Sequence, residues 1–166
     1  YNVKWWGIGN EMYGSWQFGY MAPEQYFIKH NMFAKAMKKV DPTIKLLATG
    51  ATPDEMTIYG LALPIVGKLI PEFGSKADWT GGFFTHCFDN IDIMSEHFYS
   101  YAEQRFDHSS GIRPGSFTRA DYMVKVDEPL VEWARRPANR VRNKVEAYEE
   151  YYRRIPALKT RRIPMV

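Results

Sequence analysis

Short apolar runs separated by longer amphipathic stretches form the pattern of this chain. Strands are predicted for the segment that starts at Trp5, for 44–49 and for 91–95, and 163–166 begins a fourth. Their largely apolar character is typical of strands buried in a parallel sheet. Because the stretches between them predict helices, the order of elements indicates a parallel α/β architecture.

The first helix is predicted from Pro23, which suits a first turn, to Asp41-Pro42. A short helix over 79–88 precedes the third strand. The apolar positions expected on the buried face of the first helix are Tyr26, Phe33, Met37 and Val40.

The later part of the chain predicts a long loop over 100–126 and then another helix. This helix is expected to begin at Asp127, to be interrupted at Pro137 and to end at Pro156. Its buried face is expected to carry Val141, Val145, Tyr148 and Tyr152. The segment 59–73 is ambiguous, because glycine and proline interrupt its apolar residues.

About four strands are visible, which is half of a (β/α)8 barrel of ~250 residues. No glycine-rich phosphate loop or dinucleotide motif accompanies the strands, so a nucleotide-binding fold lacks support. We therefore predict a partial (β/α)8 TIM barrel, in which residues 1–166 belong to one domain that is incomplete at both ends.

The composition excludes several classes of function. The formal charge is only +3, which argues against a nucleic-acid partner, and the arginines late in the chain alternate with glutamates. Cys87 is the single cysteine, so the chain has no internal disulfide. No apolar run reaches the length that spans a membrane, and we expect no membrane partner. The compartment stays undecided, with a cytoplasmic location slightly favoured over secretion.

The candidate chemistry follows the first strand. Asn10 and Glu11 come directly after its apolar residues, at the end where (β/α)8 barrels hold their catalytic groups. Trp16 and Gln17 follow a glycine-containing turn, and aromatic residues of this kind suit a pocket that stacks on sugars. A surface glutamate after a buried strand is the alternative. The whole run 6–17 favours a catalytic carboxyl group.

The residues Gly9-Asn10-Glu11-Met12, Gly14 and Trp16-Gln17 resemble the acid/base segment of the α-L-arabinofuranosidases of glycoside hydrolase family 51. This resemblance implies a (β/α)8 barrel whose fourth strand ends at Glu11, the acid/base. It also implies that Asn10 hydrogen-bonds the sugar hydroxyl next to the anomeric carbon, and that Trp16 and Gln17 shape the sugar site. The chain has Tyr13 and Ser15 where the family usually has Asp and often has Pro.

A second motif, 95–99, resembles the end of the sixth strand in the same family. The resemblance implies that Tyr99 hydrogen-bonds the nucleophilic carboxylate and that His97 lines the pocket. Because side chains alternate along a strand, Glu96 is expected to point away from both and to pair with an Arg or Lys behind the strand. A half-buried histidine with an aromatic neighbour is the alternative interpretation.

These observations predict a retaining glycosidase that releases α-L-arabinofuranosyl residues from plant polysaccharides, with an arabinose-containing oligo- or polysaccharide as its partner. The resemblance implies that residues 1–166 are the central portion of the barrel, roughly strands four to seven, and that the nucleophile follows the seventh strand, beyond Val166. This chain alone is therefore expected to be inactive or nearly so. No metal and no other cofactor is expected. The alternatives are a xylanase or glucanase of the same clan, or a non-catalytic half-barrel that binds sugar or assembles. Open strand edges predict a homo-oligomer or a complementary barrel segment.

Overall fold

The computed structural model describes residues 1–53, 73–76, 78–97, 104–106, 123–125 and 129–166, with the backbone alone at 104–106, 123–125, 136 and 140. The strands are β1 (Trp5–Ile8), β2 (Lys45–Gly50), β3 (Ile93–Glu96), β4 (Gln104–Phe106) and β5 (Met123–Lys125). The helices are α1 (Pro23–Val40), α2 (Trp79–His86), α3 (Leu130–Arg154) and α4 (Pro156–Thr160), with a 3-10 turn at Phe88–Asn90.

The first three strands form a parallel sheet in the order β1-β2-β3. Met165 lies parallel to Met94 as a single bridge beside β3. The amide of Met94 donates to the carbonyl of Pro164, and the amide of Val166 donates to the carbonyl of Met94, both at 2.9 Å. The predicted α/β fold with parallel strands is confirmed, and all these strands end at one edge of the sheet.

Helix α1 has the predicted bounds, because Pro23 fits its first turn and the Asp41 carboxylate accepts the amide of Thr43 just after the last turn. Its buried face differs in part from the prediction. Tyr26 is buried, whereas Phe33 and Val40 are 56% and 87% exposed. The face that packs on the rest of the molecule is rotated, and its buried residues are Pro23, Tyr26, Phe27, His30 and Ala34.

Helix α3 is continuous for 25 residues, so the predicted interruption at Pro137 is wrong. Proline removes the amide that would bond the carbonyl of Trp133, but this turn is exposed and water can bond that carbonyl instead. Tyr148 is buried as predicted, whereas Val141 and Val145 are 47% and 46% exposed. The helix ends at Arg154, just before Pro156 as predicted, and Pro156 then begins α4. The predicted start at Asp127 lies outside the described residues.

The core between the sheet and the helices is aromatic. Trp79 is fully buried, stacks on Tyr26 with ring centroids 5.2 Å apart, and donates its indole N–H to the carbonyl of Thr49 at 2.9 Å. This contact fixes α2 beneath the carboxyl end of β2. Other buried aromatic members of the core are Tyr13, Phe27, Phe83, Phe84, Tyr148 and Tyr151.

The predicted long loop contains a short antiparallel pair of strands, β4 and β5, so it is not wholly irregular. None of the helices in the described ranges combines the length and the apolar character needed to cross a bilayer.

Candidate active site

Glu11 lies three residues after β1, in a turn whose backbone is unusual. Its φ is +48°, in the left-handed region that residues other than glycine rarely adopt. Gly9 has a φ of +73°, and a Cβ atom there would collide with the hydroxyl of Tyr26. The amide of Gly14 closes the turn by donating to the carbonyl of Glu11 at 2.8 Å. Such backbone outliers concentrate at functional sites, because only a supporting structure can hold them.

The Glu11 carboxyl group is buried and is held at both oxygens. Trp16 Nε1 donates to Oε2 at 2.8 Å, and His97 Nδ1 lies 2.9 Å from Oε1. His97 follows β3 and is 86 residues away along the chain, so the parallel sheet brings the two together. One proton lies between Nδ1 and Oε1, on the nitrogen or on the oxygen. The pair can therefore hold and transfer a proton.

The structure brings together three of the six predicted site residues: Glu11, Trp16 and His97. The Trp16 ring is 51% exposed and meets Tyr13 edge-on, so part of its surface is open. Among the described contacts, the side chains of Asn10 and Gln17 make no hydrogen bond to Glu11, although both lie within its turn region. Tyr99 lies outside the described residues.

Glu96 points away from His97 and is bound on the other side of the strand, as the alternation predicts. Thr80 and Tyr148 donate to its Oε1 at 2.7 and 2.8 Å, and Lys144 Nζ lies 3.5 Å from its Oε2. The expected partner was an unspecified Arg or Lys, and the structure identifies it as Lys144. We call the set Glu96, Thr80, Lys144 and Tyr148 the Glu96 anchor.

The Glu96 anchor is removed from solvent. Only 1% of the Glu96 side chain and 4% of the Lys144 side chain are exposed. Burial, together with the charge of Glu96, raises the pKa of Tyr148 well above its ordinary value, so its hydroxyl keeps the proton that it donates.

Sequence reasoning missed Thr80, Lys144 and Tyr148 as members of this cluster. One signal was present, because Lys144 and Tyr148 are four residues apart and therefore share a helix face. No comparable signal existed for Thr80. Within the described ranges, no group of three or more His, Cys, Asp or Glu side chains is placed to hold a metal ion.

Comparisons with known proteins relate this chain to one family. The alpha-L-arabinofuranosidase 1 domain family matches residues 1–111. The intracellular exo-α-(1→5)-L-arabinofuranosidase of Halalkalibacterium halodurans is 31% identical over 132 residues, which are 74% of this chain and 23% of that enzyme.

Two solved structures are also similar. A family 51 α-L-arabinofuranosidase from Bifidobacterium longum is 31% identical over 61% of this chain and 17% of its own, with a TM-score of 0.45. The crystal structure of an arabinofuranosidase matches 99% of this chain and 24% of its own at 25% identity, with a TM-score of 0.55. The chain spans less than a quarter of the length of the H. halodurans relative.

Proposed function

This chain belongs to the α-L-arabinofuranosidases of glycoside hydrolase family 51, as the resemblance of its motifs predicted, and on that premise we propose that it carries the acid/base carboxyl group of a retaining glycosidase. The observation that supports this role is the burial of Glu11 with a contact at each carboxyl oxygen. We further propose that residues 1–166 are the central portion of one barrel domain.

In this mechanism Glu11 acts twice. It first protonates the glycosidic oxygen, while a carboxylate nucleophile bonds to the anomeric carbon and the bond to the leaving group breaks. Glu11 then takes a proton from the water that attacks the same carbon and displaces the nucleophile. Trp16 and His97 keep the carboxyl group in place through both steps. Asn10 hydrogen-bonds the neighbouring sugar hydroxyl, as the family resemblance implies.

The nucleophile is proposed to come from polypeptide outside the 166 residues, with Tyr99 as its hydrogen-bond partner. Glu96 does not suit this role, because its carboxylate is buried and bound by the other members of the Glu96 anchor. The segment that contains Met165 runs parallel to β3. A residue that follows it would therefore lie at the same sheet edge as Glu11, where the two carboxyl groups need to be ~5–5.5 Å apart.

We propose that the substrate is an α-L-arabinofuranosyl residue of a plant polysaccharide, since the matched relatives are arabinofuranosidases. The open part of the Trp16 ring and the half-buried Gln17 would shape its site. Paired aryl arabinofuranoside and aryl xyloside substrates test this choice. Selective cleavage of the xyloside by the full-length enzyme would contradict it.

Glu11→Gln in the full-length enzyme tests the acid/base role. We expect turnover of substrates with poor leaving groups to fall about 10²–10⁴-fold, because those groups need protonation to depart. Formation of the glycosyl-enzyme from an activated aryl substrate should be nearly unaffected. The matched control is Glu24→Gln, at an exposed position in the first turn of α1, which should leave both rates unchanged. An equal loss on both substrates in Glu11→Gln would exclude the role.

A further inference from the structure

We propose that Lys144 and Tyr148 are positioning residues for the acid/base pair, which hold His97 against Glu11 by fixing Glu96. The proposal rests on the proposed function of Glu11. Neither residue carries a motif of the family resemblance. Both lie on α3, far along the chain from Glu11. They contact Glu96 on the side of β3 that is opposite His97.

Glu96 and His97 are adjacent in the chain. Glu96 is the last residue of β3 and His97 follows it, so their side chains point to opposite sides of the strand end. One side holds the Glu96 anchor and the other holds the 2.9 Å contact from His97 Nδ1 to Glu11 Oε1. A displacement of Glu96 therefore also moves His97, because a single peptide unit joins the two residues.

The Glu96 anchor holds the end of β3 rigidly. The carboxylate of Glu96 is bound from two helices, by Thr80 of α2 and by Lys144 and Tyr148 of α3. Gly50, the β2 residue opposite Glu96, leaves no spare space, because a Cβ atom there would collide with Glu96 Oε1. The buried Glu96–Lys144 pair is expected to contribute little net stability. The hydrogen bonds that Thr80 and Tyr148 donate hold Glu96 Oε1 in one geometry. This cluster therefore defines where β3 ends.

The Glu96 anchor acts by positioning and does not contact the substrate. Glu96 and Lys144 are too deeply buried to contact a sugar. Their effect on the reaction must pass through His97 and hence through proton transfer at Glu11. Loss of the anchor should accordingly lower kcat for substrates that need a proton on the leaving group, with little change in KM.

The test compares two tyrosine variants on the same helix in the full-length enzyme. Tyr148→Phe removes one hydroxyl from the Glu96 anchor. Tyr152→Phe removes a hydroxyl that donates instead to the carbonyl of Ile163 at 2.9 Å. We expect Tyr148→Phe to lower kcat about tenfold on a poor leaving group and less than about twofold on an activated one, because small misplacements of catalytic groups are costly. Tyr152→Phe should keep the wild-type ratio of the two rates.

Lys144→Met removes the charged partner of Glu96. It should lower kcat on a poor leaving group, relative to kcat on an activated one, further than Tyr148→Phe does. If it fails to fold because Glu96 loses its buried counter-charge, Tyr148→Phe still decides the question. A second measurement is the ¹⁵N NMR signal of the His97 ring. Tyr148→Phe should move that signal and Tyr152→Phe should not.

Running Glu11→Gln beside these variants separates the two proposals. If Glu11→Gln discriminates between leaving groups but Tyr148→Phe matches Tyr152→Phe in both rate ratio and NMR signal, the positioning role is overturned and the proposed function stands. If Glu11→Gln does not discriminate, the proposed function is overturned and the positioning role falls with it.

Discussion

His30 and His97 differ in their surroundings although both lie near the sheet. His97 is half-buried at the sheet edge and contacts Glu11. His30 is fully buried on α1, against the ring of Phe83, and its Nε2 lies 3.2 Å from the carbonyl of Asn90. Burial lowers the pKa of His30 to about 4, although the contact with Asn90 acts in the opposite direction.

His30 should therefore make the stability of the chain depend on pH. Its pKa is lower in the folded chain than the ordinary value of 6.5, so the unfolded chain binds the proton first. The contribution is fully present above pH 6.5 and is lost as the pH falls towards 4. Between pH 7 and 4.5 the free energy of unfolding should fall by roughly 2–3 kcal/mol more in the wild type than in His30→Gln.

Urea denaturation at the two pH values measures this difference. His86→Gln, at an exposed position on α2, is the control and should behave as the wild type. An identical pH dependence in the wild type and His30→Gln would show that His30 does not titrate as described.

At the scale of elements, Asp92 joins β2, β3 and α1. Its Oδ2 accepts the amide of Leu46 at 2.9 Å and Lys38 Nζ at 3.2 Å, and Lys45 Nζ lies 3.4 Å from its Oδ1. Burial alone would raise the pKa of Asp92, but the hydrogen bonds from Leu46 and Lys38 and the charges of Lys38 and Lys45 together lower it.

Asp92→Asn should lower the free energy of unfolding at pH 7 by about 1–3 kcal/mol, because hydrogen bonds to a charged group are lost. Since the pKa is lower in the folded chain than the ordinary value of 3.8, this stabilisation is present above that value and lost as the pH falls below it. Thermal melting at pH 7 and pH 3 should show a difference between wild type and variant that shrinks at the lower pH. Asp89→Asn, in the exposed 3-10 turn, is the control. A melting temperature unchanged by Asp92→Asn at pH 7 would contradict the prediction.

Element boundaries with a local chemical cause were predictable from the sequence. Pro23 marks the start of α1 and Asp41 its end, and both effects act within one turn. The side of a helix that is buried was less predictable, because it depends on the partner surface. Phe33 is apolar and has the right spacing, yet the packing of α1 on α2 leaves it exposed.

The candidate site was predictable only where a motif carried it. Glu11 was predicted from its place after the first strand and from the resemblance, and His97 from the resemblance. The sheet accounts for their contact. The contacts of Lys144 and Tyr148 with Glu96 join two elements, β3 and α3, across about fifty residues, so neither periodicity nor local propensity encodes them. The interruption predicted at Pro137 was wrong for a similar reason. The free-energy cost of the missing amide depends on whether water reaches that turn of the helix, and the sequence pattern does not show this.

At the scale of the whole molecule, the parallel sheet has an open edge at β1 among the described residues. Among the described residues β1 pairs with β2 alone, and Trp5 and Trp6 on β1 are 60% and 44% exposed. An open strand with exposed tryptophans is a surface on which another strand can add. We therefore expect the isolated 166-residue chain to associate.

Light scattering on the purified chain measures this association. Trp5→Lys should lower the average mass, because a charged residue on an open strand opposes pairing. Phe18→Lys changes an exposed aromatic residue outside β1 and should leave the mass as in the wild type. A well-folded monomeric wild-type chain would contradict the prediction.

The alternation of side chains at the end of β3 also limits the insertions and deletions that this strand can tolerate. Strand β3 is bonded to β2 on one side and to the Met165 segment on the other, so it cannot slide to absorb an inserted or deleted codon. A length change of one residue within it would exchange the two faces, turning a carboxylate towards Glu11 and an imidazole towards Lys144. Natural length variation should therefore accumulate in the connections around this strand and spare the strand itself.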